Sequence, residues 1–387
     1  MRRLIRSAFV LVVVLCAASC SSSAKGGAPL RTSTSTTVAA ATTIAPTDEA
    51  VYASPGPYKV GYTTLRMTDR FVDVWYPADP NAVVGRPRAT YDQRTALPPA
   101  LQHFVPDAYN SVVTMQAYRD VAGSATGPFP VVLFSHGTPA FRTASSALDA
   151  GVASWGFVVV SVDYVERGEV TQFPGQAPVS LDEARDRRLM LASLDLVAAE
   201  NKRPTSVLYG LVDVARVASA GHSAGGTTAL NALNDPRLTA AVLWAPAIPT
   251  TPIAKKPIMI IGASGDIAVT PAVLGKAYAA LPAAKRWVEV GPAGHNSFTD
   301  LCLVTRAGGG YVKFAIDTQL IPPAAATLLL NGCGNTDLRS ERFFPVVQHF
   351  TVAELRSVFG IDKQPVGLGD GITQSFPGIT VTYHHEP

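Results

Sequence analysis

The chain of 387 residues is poor in charge: Asp, Glu, Lys and Arg make up 16% of it and the formal net charge is only +3. Arg2, Arg3 and Arg6 alone account for that excess, so the sequence beyond them is near neutral and offers no basic surface for nucleic acid. Cysteine is scarce, with four in all, and no histidine, cysteine or carboxylate cluster has metal-ligand spacing. The terminal pair His384-His385 falls short of one, so neither a metal nor an organic cofactor is implied. What the chain does have is 47% apolar residues, enough for a sizeable core and far from a disordered composition.

The opening "MRRLIRSAFVLVVVLCAASC" places a short basic segment before an apolar run from Ala8 to Ala18. That run is too short for a comfortable membrane span and has the shape of a secretory signal. Ala17-Ala18-Ser19-Cys20 resembles a bacterial lipobox, with Ala where Leu is usual, and makes Cys20 the expected lipid anchor. The alternative is ordinary cleavage and free secretion. Residues 21–50 hold 12 Ser or Thr in 30 positions and are expected to form a flexible tether. The expectation is therefore an exported protein on the outer face of the cell membrane, residues 51–387 forming one domain with a C-terminal extension over 300–387. Cys16 leaves with the leader, so Cys302 and Cys333 are expected to pair, a loop closure worth about 3–4 kcal/mol. Two unpaired thiols are the other possibility. Nothing in the sequence speaks to oligomeric state.

From Tyr52 onward the chain alternates strand and helix signals. "KVGYTTLRMTDRFVDVWYPAD" reads as two strands around a polar turn at Thr68-Asp69, with Val72, Val74 and Tyr76 alternating as in a half-buried strand. "PVVLFS" (130–135) and "GFVVVSVDY" (156–164) are continuous apolar runs of strands covered on both faces, with a helix over 143–155 between them. Four short strands follow at 216–221, 240–245, 257–262 and 286–290. The clearest helix signal begins at Ser180, with Glu183 completing a capping box and Leu191, Leu194 and Ala198 along one face. Such alternation predicts an α/β fold: a mostly parallel central sheet with helices on both faces, any site lying along the strand C-terminal edge. Residues 80–127, rich in Pro and Ala, carry no readable pattern.

Gly221-His222-Ser223-Ala224-Gly225 fits the pattern G-x-S-x-G between a strand and a helix. The turn there is sharp enough to leave residues 221 and 225 no room for side chains while Ser223 projects its hydroxyl. A base must follow in the order Ser, acid, His, which selects His295 in "GPAGHNSF"; His349 is the runner-up. Asp266, in the loop after "PIMIIG", is placed to orient His295, whereas Asp300 follows the histidine too closely to reach behind it. Two N–H donors are needed where negative charge develops: Ala224, just after the nucleophile, and Thr138 in "SHGTPAFRT", because Pro139 has no N–H to give. His136, in the same loop, is expected to be structural.

"PVVLFSHGTPAFRT", "ASWGFVVVSVDY" and "VASAGHSAGG" resemble the α/β-hydrolase superfamily. Together with "RFVDVWYPAD", they are most similar to the platelet-activating-factor acetylhydrolases and dienelactone-hydrolase-like serine esterases, over roughly residues 58–300. Two departures limit the transfer of substrate. The former carry their acid one strand earlier, where this chain has Trp244 in "AVLWAP"; Asp266 takes the position shared with cutinase-like polyesterases. True dienelactone hydrolases use a cysteine where Ser223 stands.

The resemblance implies a serine hydrolase cleaving a small-molecule or lipid carboxylic ester through an acyl-enzyme. Rival readings are an acyltransferase or a peptidase on the same triad, or a non-catalytic ligand-binding surface lipoprotein. Prolyl-oligopeptidase-like enzymes usually add a large N-terminal domain, for which residues 52–129 are too few. The extension after residue 300 reads either as a lid or acyl-site wall or as a cover for the sheet edge.

Overall fold

The computed structural model describes residues 47–386 apart from 110, 174, 175, 248–252, 283 and 320. The expected signal peptide, Cys20 and the part of the expected tether before Thr47 lie outside the described residues. Twelve strands are described: β1 (Lys59–Arg66), β2 (Phe71–Ala78), β3 (Thr90–Asp92), β4 (Val112–Thr114), β5 (Tyr118–Arg119), β6 (Phe129–Ser135), β7 (Val158–Val162), β8 (Val212–His222), β9 (Leu238–Trp244), β10 (Ile258–Ala263), β11 (Lys285–Gly291) and β12 (Thr380–Glu386). Ten of them form one sheet in the order β12-β11-β10-β9-β8-β6-β7-β2-β1-β5, and β3 pairs with β4 separately. The six strands from β7 to β11 run parallel, with β2 and β12 antiparallel at their flanks.

The continuous apolar runs have the cause the sequence suggested, since every residue of β6 and β7 is buried. Alternate residues face opposite layers. Val132 and Phe134 join the core that also holds Leu148 and Phe350, while Val131 and Leu133 join the core that also holds Leu194 and Leu230. The helices are α1 (Pro99–Gln102), α2 (Ser146–Ser154), α3 (Glu183–Glu200), α4 (Ala224–Ala232), α5 (Pro271–Ala280), α6 (Leu301–Arg306), α7 (Tyr311–Asp317), α8 (Pro323–Leu329) and α9 (Ser340–Val358).

Helix α3 begins later than its capping-box pattern implies. Asp182, not Ser180, caps it, accepting the Arg185 N–H at 2.9 Å. A carboxylate is the stronger acceptor for that orphan donor. Glu183 is committed elsewhere, to Asn231 of α4 at 2.8 Å, and the Ser180 N–H is spent on the Glu166 carbonyl. The buried stripe is Met190, Leu194 and Val197.

The unreadable stretch 80–127 takes its order from distant partners. Tyr91 of β3 donates its hydroxyl to Asp300 at 3.0 Å, and the Tyr109 ring packs edge-on against Phe314 of α7. At the N-terminal boundary, Thr47 and Asp48 already hydrogen-bond to residues 365–375. Helix α9 of the C-terminal extension packs its apolar face, including Phe343, Val347 and Phe350, into the core against α2 and the sheet. His349 of α9 is buried with both ring nitrogens engaged, accepting from the Tyr52 N–H at 3.2 Å and donating to the Gly367 carbonyl at 3.0 Å. Burial pushes its pKa down to about 4, so it packs as a neutral ring with no nitrogen to spare for a serine.

Candidate active site

Strand β8 ends at His222 and α4 begins at Ala224, so Ser223 alone makes the turn, at φ 56° and ψ −124°. A non-glycine residue there costs on the order of 1–3 kcal/mol and persists only where its surroundings over-determine it. Here β8 is held between β6 and β9, and the Ser223 N–H is bound to the Trp244 carbonyl at 2.9 Å. The two glycines of the motif are obligatory on steric grounds. A Cβ on Gly221 would stand 2.2 Å from the Gly225 carbonyl oxygen, and one on Gly225 would stand 1.9 Å from that of Ser135.

Asp266 follows β10 and His295 follows β11, so parallel pairing carries both to the same sheet edge as Ser223. His295 Nδ1 and Asp266 Oδ2 are 2.7 Å apart, and both residues are more than nine-tenths buried. The other carboxylate oxygen, Oδ1, accepts the N–H groups of Ala268 and Val269, each at 2.8 Å. That leaves Oδ2 to accept a hydrogen bond from the Nδ1–H, which fixes the histidine tautomer with Nε2 free to accept. His222, beside Ser223, ties the two loops together: its ring centroid lies 4.8 Å from that of His295, and its Nε2–H donates to the His295 carbonyl at 2.9 Å. Burial, then the adjacent His295, hold the His222 pKa well below the usual imidazole value, so it stays neutral.

Thr138 and Ala224 flank the same turn. Gly137 lies against Ser223, whose Cβ would be 3.2 Å from a Cβ placed on it. Among the described residues, neither the Thr138 nor the Ala224 N–H has a backbone partner. A residue that the sequence does not announce, Arg167, holds this loop. Its guanidinium is fully buried, donates to the carbonyls of His136 and Gly137 and to Ser135 Oγ, and pairs with Asp186 of α3 at 2.7 Å. Because the carbonyl and the next N–H of a trans peptide point opposite ways, capture of the Gly137 carbonyl turns the Thr138 N–H away from Arg167. His136 supports the same loop, as a neutral ring accepting from Tyr164 N–H at 3.0 Å and facing the Gly137 carbonyl at 2.9 Å. Burial lowers its pKa.

Asp300 serves packing rather than His295. It accepts from Ser146 Oγ at 2.5 Å, Tyr91 hydroxyl at 3.0 Å and the Ala147 N–H at 3.3 Å. Burial raises its pKa from 3.8 to about 6. The folded state therefore holds a proton that the unfolded chain gives up as pH rises from 4 to 6. That favours folding below this window and is lost across it, by about 3 kcal/mol in all. Chemical denaturation at pH 4 and pH 6 checks this: relative to Asp300→Asn, the wild type should lose about 2 kcal/mol of that amount between the two.

Cys302 and Cys333 form the expected disulfide. Among the described residues, no group of three or more His, Cys, Asp or Glu side chains is placed to hold a metal ion.

Comparison with known proteins agrees with this architecture. A ferulic acid esterase from Streptomyces cinnamoneus has the same fold, with a TM-score of 0.59 at 24% identity over 86% of this chain and 98% of that one. A bis(hydroxyethyl) terephthalate hydrolase of Streptomyces coelicolor (strain ATCC BAA-471 / A3(2) / M145) is 29% identical over 181 residues, 45% of this chain and 53% of that protein. The chain thus spans about half the length of the curated relative it matches. The model of the PETase family, described as PET hydrolase-like, matches residues 121–318, which include Thr138, Ser223, Asp266 and His295. With half of its length in that match, the chain belongs to the PET hydrolase-like family of the α/β-hydrolase superfamily.

Proposed function

We propose that the protein hydrolyses carboxylic esters, with Ser223 as nucleophile, His295 as general base and then acid, and Asp266 as the group that orients it. The observation that carries this reading is the 2.7 Å Nδ1–Oδ2 contact between His295 and Asp266, made at the sheet edge that also presents Ser223 at φ 56°. Ser223 Oγ attacks the ester carbonyl carbon as its proton passes to His295 Nε2. Asp266 stabilises the resulting imidazolium through Nδ1–H. Negative charge gathers on the carbonyl oxygen, where the Ala224 and Thr138 N–H groups receive it. Collapse breaks the bond to the alcohol, which leaves with the His295 proton. Water, deprotonated by the same ring, then releases the acid and regenerates Ser223.

The substrate proposed is an aromatic carboxylate ester of a short alcohol, by analogy with the hydroxyethyl terephthalate that the Streptomyces coelicolor relative is named for. Export through residues 1–20 and anchoring through Cys20 belong to the same proposal and are supported by the sequence. Incubation with bis(hydroxyethyl) terephthalate and with p-nitrophenyl acetate separates the levels of the claim. Release of the mono-ester and ethylene glycol supports both levels. Turnover of p-nitrophenyl acetate alone keeps ester hydrolysis and removes the aromatic substrate. A folded protein that turns over neither contradicts the reading.

A further inference from the structure

We infer that Asn331 is a positioning residue for the His295–Asp266 pair, supplied by the C-terminal extension beyond the family-matched segment. The inference rests on the catalytic reading above. Among the described residues, the Asn331 side chain bridges the acid loop and the base loop with three hydrogen bonds. Oδ1 accepts the His295 N–H at 2.7 Å and the Ile267 N–H at 3.2 Å. Nδ2 donates to the Gly265 carbonyl at 2.9 Å. The amide orientation follows from the chemistry, since two N–H donors require the oxygen and a carbonyl requires the nitrogen. One side chain thus brackets Asp266 on both sides along the chain and holds the backbone of His295 in the same grip.

The neighbouring contacts fasten the whole segment. The Asn296 N–H donates to the Asn331 carbonyl at 2.9 Å, and Asn296 Nδ2 donates to the Leu328 and Leu329 carbonyls at 3.2 and 3.0 Å. Cys333, two residues on, is bonded to Cys302 of α6, which itself begins just after the His295 loop. His295 is therefore clamped at both of its peptide groups, N–H by Asn331 and carbonyl by His222. A displacement near 1 Å at a reacting group costs about 100-fold in rate, and these bonds oppose such a displacement between the two loops.

The test compares Asn331→Ala and Asn331→Leu with the wild type on p-nitrophenyl acetate. Leucine keeps the same branching at Cγ and the same number of heavy atoms without any hydrogen bond, so it separates packing from positioning. Both variants should lose between about 10- and 100-fold in kcat with KM changed less than twofold. The downfield NMR resonance of the His295 Nδ1 proton shared with Asp266 should broaden or vanish in both. Restoration of wild-type kcat by Asn331→Leu, or wild-type kcat together with an intact resonance in whichever variant folds, would overturn the assignment. A kcat loss that only tracks the unfolded fraction would overturn it as well. Failure of the underlying reading looks different: ester turnover would then survive in Ser223→Ala, whatever the Asn331 variants do.

Discussion

Substituting Ser223 by alanine is expected to lower kcat for ester hydrolysis by about 10⁶-fold while leaving the fold in place. Alanine keeps the Cβ and the φ 56° geometry, so the strain at the turn is unchanged and only the hydroxyl is removed. Groups that act as a unit do not contribute additively. His295→Ala should therefore cost about as much as Ser223→Ala, and the double variant little more than either. A residual acceleration of about 10³–10⁴ over water should remain from the oxyanion donors and substrate binding. Steady-state kinetics on p-nitrophenyl acetate, with circular dichroism to verify folding, checks this. Additive losses in the double variant would mean that the two side chains act in separate steps.

The second large effect is expected at Asp266, and its direction follows from three hydrogen bonds. Asp266→Asn should reduce kcat by about 10⁴-fold with little change in KM. The Ala268 and Val269 N–H groups both point at Oδ1, so an asparagine must present its single oxygen to them. Its NH₂ is then forced toward His295 Nδ1, which has to become an acceptor and shift its proton to Nε2. A ring protonated at Nε2 cannot take the Ser223 proton. The loss should be smaller than for Ser223→Ala because the nucleophile and oxyanion donors survive. Near wild-type kcat in Asp266→Asn would show that another carboxylate orients the base.

What could be read in advance was whatever local pattern decides. Strands β6, β7, β9 and β10 announce themselves because burial on both faces demands runs such as "PVVLFS" and "PIMIIG". The turn at Ser223 is equally legible, since a Cβ at 221 or 225 would collide with backbone and only glycine fits. Edge strand β12 is not legible in the sequence because its outer side is exposed and "TVTYHHE" buries none of its residues fully. Arg167 and Asn331 are silent in the sequence for another reason. Both act on backbone carbonyls and N–H groups of loops 30 to 66 residues away, and backbone groups leave no mark on sequence. For Asn331 the one available signal was its place two residues before a cysteine expected to be cross-linked. The start of α3 departs from the capping-box pattern because Ser180 and Glu183 each bond a tertiary partner instead of one another.

The central claim is that Ser223 is an activated nucleophile, and an active-site-directed fluorophosphonate reports on that without any choice of ester. Intact mass measurement after labelling, followed by peptide mapping, should show one adduct per wild-type chain, on the peptide carrying Ser223. Ser223→Ala should show none, and Asp266→Asn should label far more slowly than wild type. Equal labelling of wild type and Ser223→Ala, or a folded wild type that takes up no label, would contradict the account.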